Sequence, residues 1–376
     1  MRRPLRRITL TLLTALAVLV AVPVAAATAA PEREAKPQRA VDRVVAAGVP
    51  GAVLLVRQRS RTIRLTSGQG NLKPKTPMRA GDRFRVGSVT KTFVATVVLQ
   101  LVGEGRLGLE DSVERWLPGV VPNGAGITVR QLLNHTSGLF AYGGDSDFVM
   151  EATRNPLRVW TPREIVAIAT AHPPNFAPGE AWSYSDTNYF VLGLTVEAAT
   201  GRSLASELRS RIIAPLRLRA TSLPTAPRIA GRHAHGYFLQ PLQDVSVGSP
   251  SFDWAAGGLV SNAGDLAGFF RALLGGRLLR PELLRLMRTT VAAPLLGRGY
   301  AYGLGLQKVP APCGALWGHT GASPGYDTHA LNGPRGTRQV VVLVNATSTL
   351  SPAGFFGLPT RAGRAVDRLI TTAYCD

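Results

Sequence analysis

Several residue types on which large classes of proteins depend are scarce in this sequence. Its 376 residues include only 2 cysteines and 6 histidines, which form neither an H-E-x-x-H motif nor a closely spaced cysteine set, so no zinc site is predicted. A P-loop motif and a dinucleotide-binding glycine motif are also missing, and the sequence has no internal repeat. It therefore predicts no metal ion and no cofactor.

Acidic residues are also few. There are 23 Asp and Glu against 43 Lys and Arg, which gives a formal net charge of +20. A charge of this size is compatible with nucleic-acid binding. The arginines are scattered, however, and the basic block at residues 2–7 is the exception. Attraction to anionic polymers of a cell envelope explains the charge more simply, so no nucleic-acid partner is predicted.

Long apolar runs are missing beyond the N-terminal region. A basic start at residues 1–7 precedes an apolar run at residues 8–24 and a group of small residues at 25–30. This order predicts a secretory signal peptide over residues 1–29, cleaved after Ala27 or Ala29, followed by a flexible tether over residues 30–40. The protein is then secreted or held in the cell envelope. A membrane anchor is the alternative, and both the Sec and the twin-arginine export routes stay open.

The two cysteines are Cys313 and Cys375. An even count in a chain predicted to be exported favours one disulfide bond. The bond would close a loop of about 62 residues, stabilise the fold by roughly 4 kcal/mol on the chain-entropy model, and join the C-terminal helix to a sheet. Two free thiols are the alternative.

Strand-like segments occur near both ends of the chain, and helix-like segments occupy its middle. The predicted strands cover residues 52–57, 62–66, 302–306, 315–317, 326–331 and 338–344. The predicted helices cover residues 41–47, 93–102, 128–133, 162–170, 188–199, 204–213, 262–274, 281–287 and 361–372. This order predicts an α/β (α+β) fold. An antiparallel sheet flanked by helices uses residues of about 41–95 and 255–376, and an all-helical region of about 96–254 is inserted within it.

Lysine is also scarce, and one of the 5 lysines follows a serine by three residues. Ser88 and Lys91 precede the uncharged run 93–102, which predicts a buried helix that begins close to Ser88. Residues i and i+3 share a helix face, so Lys91 is placed to take the proton of the Ser88 hydroxyl. About 0.25 such pairs are expected by chance from the composition. A helix-capping serine beside a non-catalytic lysine is the alternative.

Two later stretches also carry residues suited to catalysis. Residues 182–189 (WSYSDTNY) contain Tyr184, whose phenol could act as an acid or base; a turn that caps the next helix is the alternative. Residues 317–326 (WGHTGASPGY) lie between two predicted strands and would line a cleft. They also fit G-x-S-x-G, but a Pro-Gly pair follows Ser323 where that motif requires a helix, so Ser323 is rejected as a nucleophile.

In this order and spacing, the three stretches resemble the serine-type D-Ala-D-Ala carboxypeptidases of actinomycetes. More broadly, they resemble the family that those enzymes share with class C β-lactamases and related esterases. The Ser-x-x-Lys pair at 88 and 91 matches the first family motif, Tyr-Ser-Asp at 184–186 stands in place of Tyr-x-Asn, and His-Thr-Gly at 319–321 matches the carboxypeptidase form of Lys-Thr-Gly. The resemblance covers nearly all of residues 40–376. It implies a penicillin-binding, β-lactamase-like fold with residues 41–376 as the catalytic domain.

The resemblance implies a serine hydrolase that forms an acyl-enzyme. Ser88 would attack the substrate carbonyl, Lys91 and Tyr184 would manage its proton, and the backbone N–H groups of Ser88 and Ala322 would hold the oxyanion. The implied substrate-binding residues are Asp186, Trp254, His319, Thr320 and Gly321. The implied partners are D-Ala-D-Ala stem peptides of peptidoglycan or other small acyl substrates, with β-lactam antibiotics as acylating inhibitors. The enzyme is expected to be a monomer.

Three departures from the family pattern affect these expectations. Asp186 replaces an asparagine, which favours a protonated Lys91 and shifts the role of base toward Tyr184, and the choice between the two stays open. Gln307 replaces an arginine that binds the substrate's terminal carboxylate, and Ala322 replaces a hydroxyl residue that shares this task. Lys308 could replace this arginine, but on a strand it is expected to point to the face opposite that of Gln307. An esterase, a D-amino-acid peptidase or a β-lactamase therefore remains an alternative, with a non-catalytic envelope-binding protein more distant.

Overall fold

The computed structural model describes residues 29–348 and 357–375. The predicted signal peptide, residues 1–29, lies outside these ranges except for Ala29. Within the described ranges, no helix combines the length and the apolar character that a membrane span requires.

The helices lie at both ends of the described chain and throughout its middle. They are α1 (Ala29–Ala46), α2 (Val89–Gly103), α3 (Val113–Trp116), α4 (Val129–Asn134), α5 (Ser146–Arg154), α6 (Pro162–Thr170), α7 (Thr187–Thr200), α8 (Leu204–Leu208), α9 (Trp254–Gly257), α10 (Ala263–Leu274), α11 (Pro281–Arg288) and α12 (Thr360–Cys375).

The strands are concentrated before residue 86 and after residue 290. They are β1 (Gly51–Gln58), β2 (Arg61–Leu72), β3 (Lys75–Pro77), β4 (Phe84–Arg85), β5 (Tyr237–Leu239), β6 (Leu242–Asp244), β7 (Val260–Ser261), β8 (Val291–Ala292), β9 (Ala301–Tyr302), β10 (Gln307–Val309), β11 (Leu316–Ser323), β12 (Tyr326–Asn332), β13 (Arg338–Val344) and β14 (Ala346–Thr347).

The main sheet joins the two ends of the chain. Its strand order is β3-β2-β1-β13-β12-β11-β10-β9-β8, and every pair is antiparallel. N-terminal β1 pairs with C-terminal β13, with Ala52 opposite Val344. This arrangement confirms the predicted α+β fold with an antiparallel sheet flanked by helices.

Helices cover both faces of this sheet. In β13, Val341 and Leu343 belong to the core that includes α2, α7 and α10, whereas Val340 and Val342 belong to the core under α1 and α12. Alternate side chains of a strand point to opposite faces, so a strand buried on both faces is apolar throughout. The continuous valine-rich run of β13 follows from this position.

Helix α2 lies at the centre of the larger core. Most of its side chains are buried, Lys91 included, and its sequence is apolar on all sides. A helix of this kind is stable only when other elements surround it. It packs against α7, α9 and β11, and this packing fixes the residues at its first turn.

Three expectations differ from the structure. Residues 30–40 belong to α1 rather than to a flexible tether, because Ala40 is buried and Gln38 Nε2 donates to the Thr66 carbonyl at 3.1 Å. The inserted region is not entirely helical, because β5 and β6 form a hairpin that β14 extends. Of the strand predicted at 302–306, Tyr302 is the end of β9, and residues 303–306 form a turn, with Gly305 at φ +72°, before β10 begins at Gln307.

The disulfide prediction is confirmed. Cys313 and Cys375 are bonded with their Cα atoms 5.4 Å apart, and they are separated by 62 positions. The bond attaches the end of α12 to the segment between β10 and β11.

Candidate active site

A cleft of about 780 Å³ lies where the start of α2 meets the part of β11 that extends beyond its pairing with β10. Of the residues predicted to bind or convert substrate, Ser88, Tyr184, Asp186, Thr320, Gly321 and Ala322 line it. The structure therefore brings together residues from three distant parts of the chain.

Two glycines set the position of Ser88. Gly87 has φ +51°, and a Cβ there would lie 2.4 Å from the Ala322 carbonyl oxygen. A Cβ on Gly321 would lie 2.2 Å from the Val86 carbonyl oxygen and 2.9 Å from Ser88 N. Only glycine fits where two backbones approach this closely. The contact places the N–H groups predicted to hold an oxyanion, those of Ser88 and Ala322, on adjoining segments.

Lys91 lies one turn into α2 and is completely buried. Its Nζ donates to Ser88 Oγ at 2.9 Å, to Asp186 Oδ1 at 2.5 Å and to the Ala256 carbonyl at 2.8 Å. An ammonium group has three donors, and all three are used here. Burial lowers the pKa of Lys91, and the Asp186 carboxylate partly opposes this effect.

Tyr184 completes the environment of the Ser88 hydroxyl. Its phenol hydroxyl is hydrogen-bonded with Ser88, and its ring centroid is 4.9 Å from Lys91 Nζ. Burial and then the charge of Asp186 raise the pKa of Tyr184 well above its usual value. Asp186 therefore opposes the phenolate as well as favouring the ammonium. It does not favour Tyr184 over Lys91 as the base, contrary to the expectation from the sequence.

His319 does not line the cleft. It is buried, and its Nδ1–H donates to the Thr320 carbonyl while Nε2 accepts from the Tyr302 hydroxyl at 2.8 Å. Burial and the charge of Lys91 lower the pKa of His319 to about 3, so the ring is neutral. The predicted substrate contact is thus replaced by a structural hydrogen bond between β9 and β11.

Trp254 also lies away from the cleft lining. Its φ is +24°, and its indole packs on Gly193 of α7, where a Cβ would lie 2.7 Å from the ring. The ring of Phe190 is 5.6 Å away, centroid to centroid. The neighbouring residue, Asp253, lines the cleft instead.

Comparisons with known proteins agree with this geometry. A family model described as β-lactamase matches residues 37–355. The chain belongs to the β-lactamase family. This is a serine hydrolase family that includes penicillin-binding proteins, esterases and D-amino acid amidases.

Among β-lactamase family members of known structure, a D-stereospecific amidohydrolase from Streptomyces sp. is 40% identical, with a TM-score of 0.79 over 88% of this chain and 97% of that one. The D-amino acid amidase from Ochrobactrum anthropi SV3 is 29% identical, with a TM-score of 0.80 over 91% of this chain and 98% of that one. Penicillin-binding protein 4* of Bacillus subtilis is 28% identical over 69% of this chain. The chain spans 60% of the length of that relative.

A second buried histidine, His135, lies beside Tyr184. His135 ends α4 with φ +64° and is buried. Its Nδ1 accepts from Ser185 N at 3.2 Å and from Asn188 Nδ2 at 3.0 Å, and its ring lies 4.4 Å from that of Tyr184. Burial, then Lys91, lower its pKa well below the usual value. A neutral His135 thus positions the segment that carries Tyr184.

Gln307 is a buried residue of the cleft lining. Its Oε1 accepts from Thr320 N at 3.1 Å and from Thr320 Oγ1 at 3.2 Å. Both acceptor contacts hold the amide in one orientation, which leaves its amino group as a donor toward the cleft. Among the described residues this amino group has no partner. An amide donor binds a neutral carbonyl, whereas a carboxylate is bound best by a cation.

Two acidic residues of the cleft lining, Asp253 and Asp327, were not predicted from the sequence. Asp253 Oδ2 accepts from Ser323 Oγ at 2.9 Å, and burial together with the charge of Asp186 raises the pKa of Asp253 to about 6. Asp327 Oδ1 lies 2.8 Å from His329 Nε2. No local motif marks these residues, since only the fold brings them to the cleft.

The cleft lining is acidic, although the whole protein is basic. Asp186, Asp244, Asp253 and Asp327 line it, and in the described part of the chain the one arginine of the lining is Arg158, which forms an ion pair with Glu151 at 3.1 Å. A cleft of one charge sign concentrates ligands of the opposite sign. The described residues contain no His, Cys, Asp or Glu cluster suited to a metal ion.

Proposed function

We propose that this protein is an exported D-stereospecific amidohydrolase. It cleaves amides of D-amino acids or short D-peptides that bear a free amine and no terminal carboxylate. The main support is the cleft beside Ser88, where Gln307 offers an amide donor and most of the charged residues of the lining are acidic. The Streptomyces amidohydrolase and the Ochrobactrum amidase support the same substrate class.

The reaction begins at the Ser88 hydroxyl. Lys91 in its neutral form takes the Ser88 proton as Oγ attacks the amide carbonyl. The ammonium that forms is held by Asp186 and the Ala256 carbonyl, which already contact Nζ. The role of Asp186 is then to stabilise the protonated base after the transfer.

The remaining steps use Tyr184 and the backbone. The N–H groups of Ser88 and Ala322 stabilise the oxyanion of the tetrahedral intermediate. Tyr184, kept protonated by its raised pKa, donates a proton to the leaving amine, and the neighbouring Lys91 ammonium returns a proton to the Tyr184 oxygen. Water then attacks the acyl-enzyme with the same groups in reverse, which releases the acid.

A D-Ala-D-Ala carboxypeptidase is the second candidate. The His-Thr-Gly sequence at 319–321 and the likeness to penicillin-binding protein 4* favour it. Gln307 and Ala322 oppose it, because a terminal carboxylate finds no cationic partner there. Both candidates share the acyl-enzyme at Ser88, and both predict acylation by β-lactams.

The test compares hydrolysis of D-phenylalanine amide, its L enantiomer and an acyl-D-Ala-D-Ala peptide by the mature protein and by Ser88→Ala. We expect ammonia release from the D-amide, much slower release from the L-amide, and none with Ser88→Ala. Faster cleavage of the carboxylate-terminated peptide would establish the carboxypeptidase instead. Absence of both hydrolysis and a Ser88 adduct by intact mass would remove the hydrolase function.

Export is part of the proposal and rests on residues 1–29. Expression of the full chain in an actinomycete host should give extracellular protein whose N-terminal residue is Thr28 or Ala30. A cell-bound protein that retains residues 1–24 would indicate an anchor.

A further inference from the structure

The pair Asp327 and His329 lies on the cleft wall formed by β11 and β12. In the register of these strands, Asp327 is opposite Ala322 and His329 is opposite Thr320. Directly opposite residues of an antiparallel pair point to the same face, with Cβ atoms about 5 Å apart. Both side chains line the same cleft as Ser88.

The methyl group of Ala322 leaves Asp327 open to the cleft. A larger side chain at 322 would cover its neighbour across the strand pair, whereas alanine does not extend past its own Cβ. The Asp327 carboxylate is largely buried, with 13% of its side chain exposed, and His329 is 18% exposed. A charge at such a site is screened less by water and salt than a surface charge.

The pair carries no net positive charge in either state of the imidazole. With neutral His329, its Nε2–H donates to Asp327 Oδ1 and the pair has one negative charge. With protonated His329, the two charges cancel within the ion pair. The one arginine of the described lining, Arg158, stacks on Trp160 at 3.7 Å and forms an ion pair with Glu151. It therefore does not neutralise the charge of Asp327.

The geometry points to Asp327, which His329 contacts, as the specificity residue for the leaving group; it admits an uncharged or cationic group and rejects a free carboxylate. This inference rests on the proposed amidohydrolase function and identifies the residue that selects the leaving group of the substrate. Gln307 and Ala322, at positions associated above with a terminal carboxylate, lie on the same wall. Gln307 and Ala322 do not attract a carboxylate, and the negative charge of Asp327 repels it.

The test is the ratio of kcat/KM for two substrates that differ only in the terminal group, acyl-D-Ala-D-alaninamide and acyl-D-Ala-D-alanine, at mildly alkaline pH. We expect the wild type to prefer the amide, and Asp327→Asn to reduce this preference by about tenfold, since the charge that repels the carboxylate is removed. Because this charge is largely buried, raising the salt concentration should reduce the wild-type preference by less than the substitution does.

Two further variants separate charge from structure. His329→Gln retains the carboxylate and should keep the preference, and Asp147→Asn, an exposed change outside the lining, should keep it within about twofold. An unchanged ratio in Asp327→Asn, or a wild type without preference, overturns the specificity site while leaving the hydrolase intact. If neither substrate reacts and Ser88 forms no adduct, the proposed function fails first. Thermal unfolding of each variant identifies loss of fold.

Discussion

Two parts of the cleft are built in opposite ways. The catalytic corner, formed by Ser88, Lys91, Tyr184 and Asp186, is closed: the three donors of Lys91 all end on protein oxygens. The leaving-group wall, formed by Gln307, Thr320, Asp327 and His329, presents polar atoms to open space. Under the proposed function, the corner carries out the acyl transfer and the wall selects the leaving group.

Their supports differ too. The corner is attached to α2, which core side chains surround. The wall depends on β10, a strand of 3 residues, and on the disulfide that binds the next segment to α12. Substitutions in the corner are therefore expected to change the rate of the chemical step, and substitutions in the wall to change substrate preference or local stability.

The largest expected effect follows from Lys91→Met. Methionine fills a similar volume without the amine, so kcat/KM should fall by about a thousandfold or more. Removing Lys91 alone leaves the Asp186 carboxylate, whose side chain is 27% exposed, without its cation, so Tm should fall as well. Steady-state kinetics and calorimetry check this, with Lys308→Met, which lies over Trp317, as control. Retention of a tenth of the activity would transfer the base role to Tyr184.

The disulfide provides the next largest effect. In the double variant Cys313→Ser and Cys375→Ser, the free energy of unfolding should fall by about 4 kcal/mol on the chain-entropy model for this loop. Because the bond supports the wall, hydrogen exchange should accelerate in β10 and α12 and stay slow in α2. Equal acceleration in all three elements would show that corner and wall unfold as one unit.

The corner could be predicted from the sequence because its parts have local signatures. Ser88 and Lys91 are three residues apart on a helix, and an uncharged run predicts that helix. Their convergence with Tyr184 came from the family resemblance, since nothing local joins positions so far apart. The fold was predictable for a similar reason, as the strands of both chain ends are strongly apolar.

The wall could not be predicted in the same way. Asp327 and His329 become neighbours of Ala322 and Thr320 only through the register of β11 and β12, which the sequence does not state. His319 and Trp254 were misplaced because a motif specifies residue identity but not side-chain direction. Burial turns His319 toward Tyr302, and a left-handed backbone turns Trp254 onto Gly193.

Asp253 lies between the two parts and predicts a pH effect of intermediate size. Its pKa is about 6 in the folded protein against about 3.9 when unfolded, so between these values the folded state holds more protons. The free energy of unfolding then falls as pH rises from about 4 to 7. Asp253→Asn keeps an acceptor for Ser323 and removes this loss, which amounts to about 2 kcal/mol after allowing for partial exposure.

Denaturant unfolding of the wild type and of Asp253→Asn at about pH 4 and about pH 7 checks the direction of this change in stability. The variant should gain stability relative to the wild type at neutral pH and not at acidic pH. Parallel curves for the two proteins would mean that folding does not raise the pKa of Asp253.

The smallest expected effect, that of Gln307→Glu, is the sharpest test of the division between the catalytic corner and the leaving-group wall. Gln307→Glu preserves the acceptor for Thr320 N and Oγ1 but removes the amide donor and adds a charge to the wall. Loss of one hydrogen bond to a neutral group lowers kcat/KM for an amide substrate by roughly tenfold. Because this donor binds a carbonyl that does not react, ground state and transition state lose it equally, so KM should rise while kcat stays constant. Gln58→Glu, an exposed change at the end of β1, controls for added charge. A fall in kcat at constant KM would instead place Gln307 in the chemical step, and the wall would then belong to the catalytic corner.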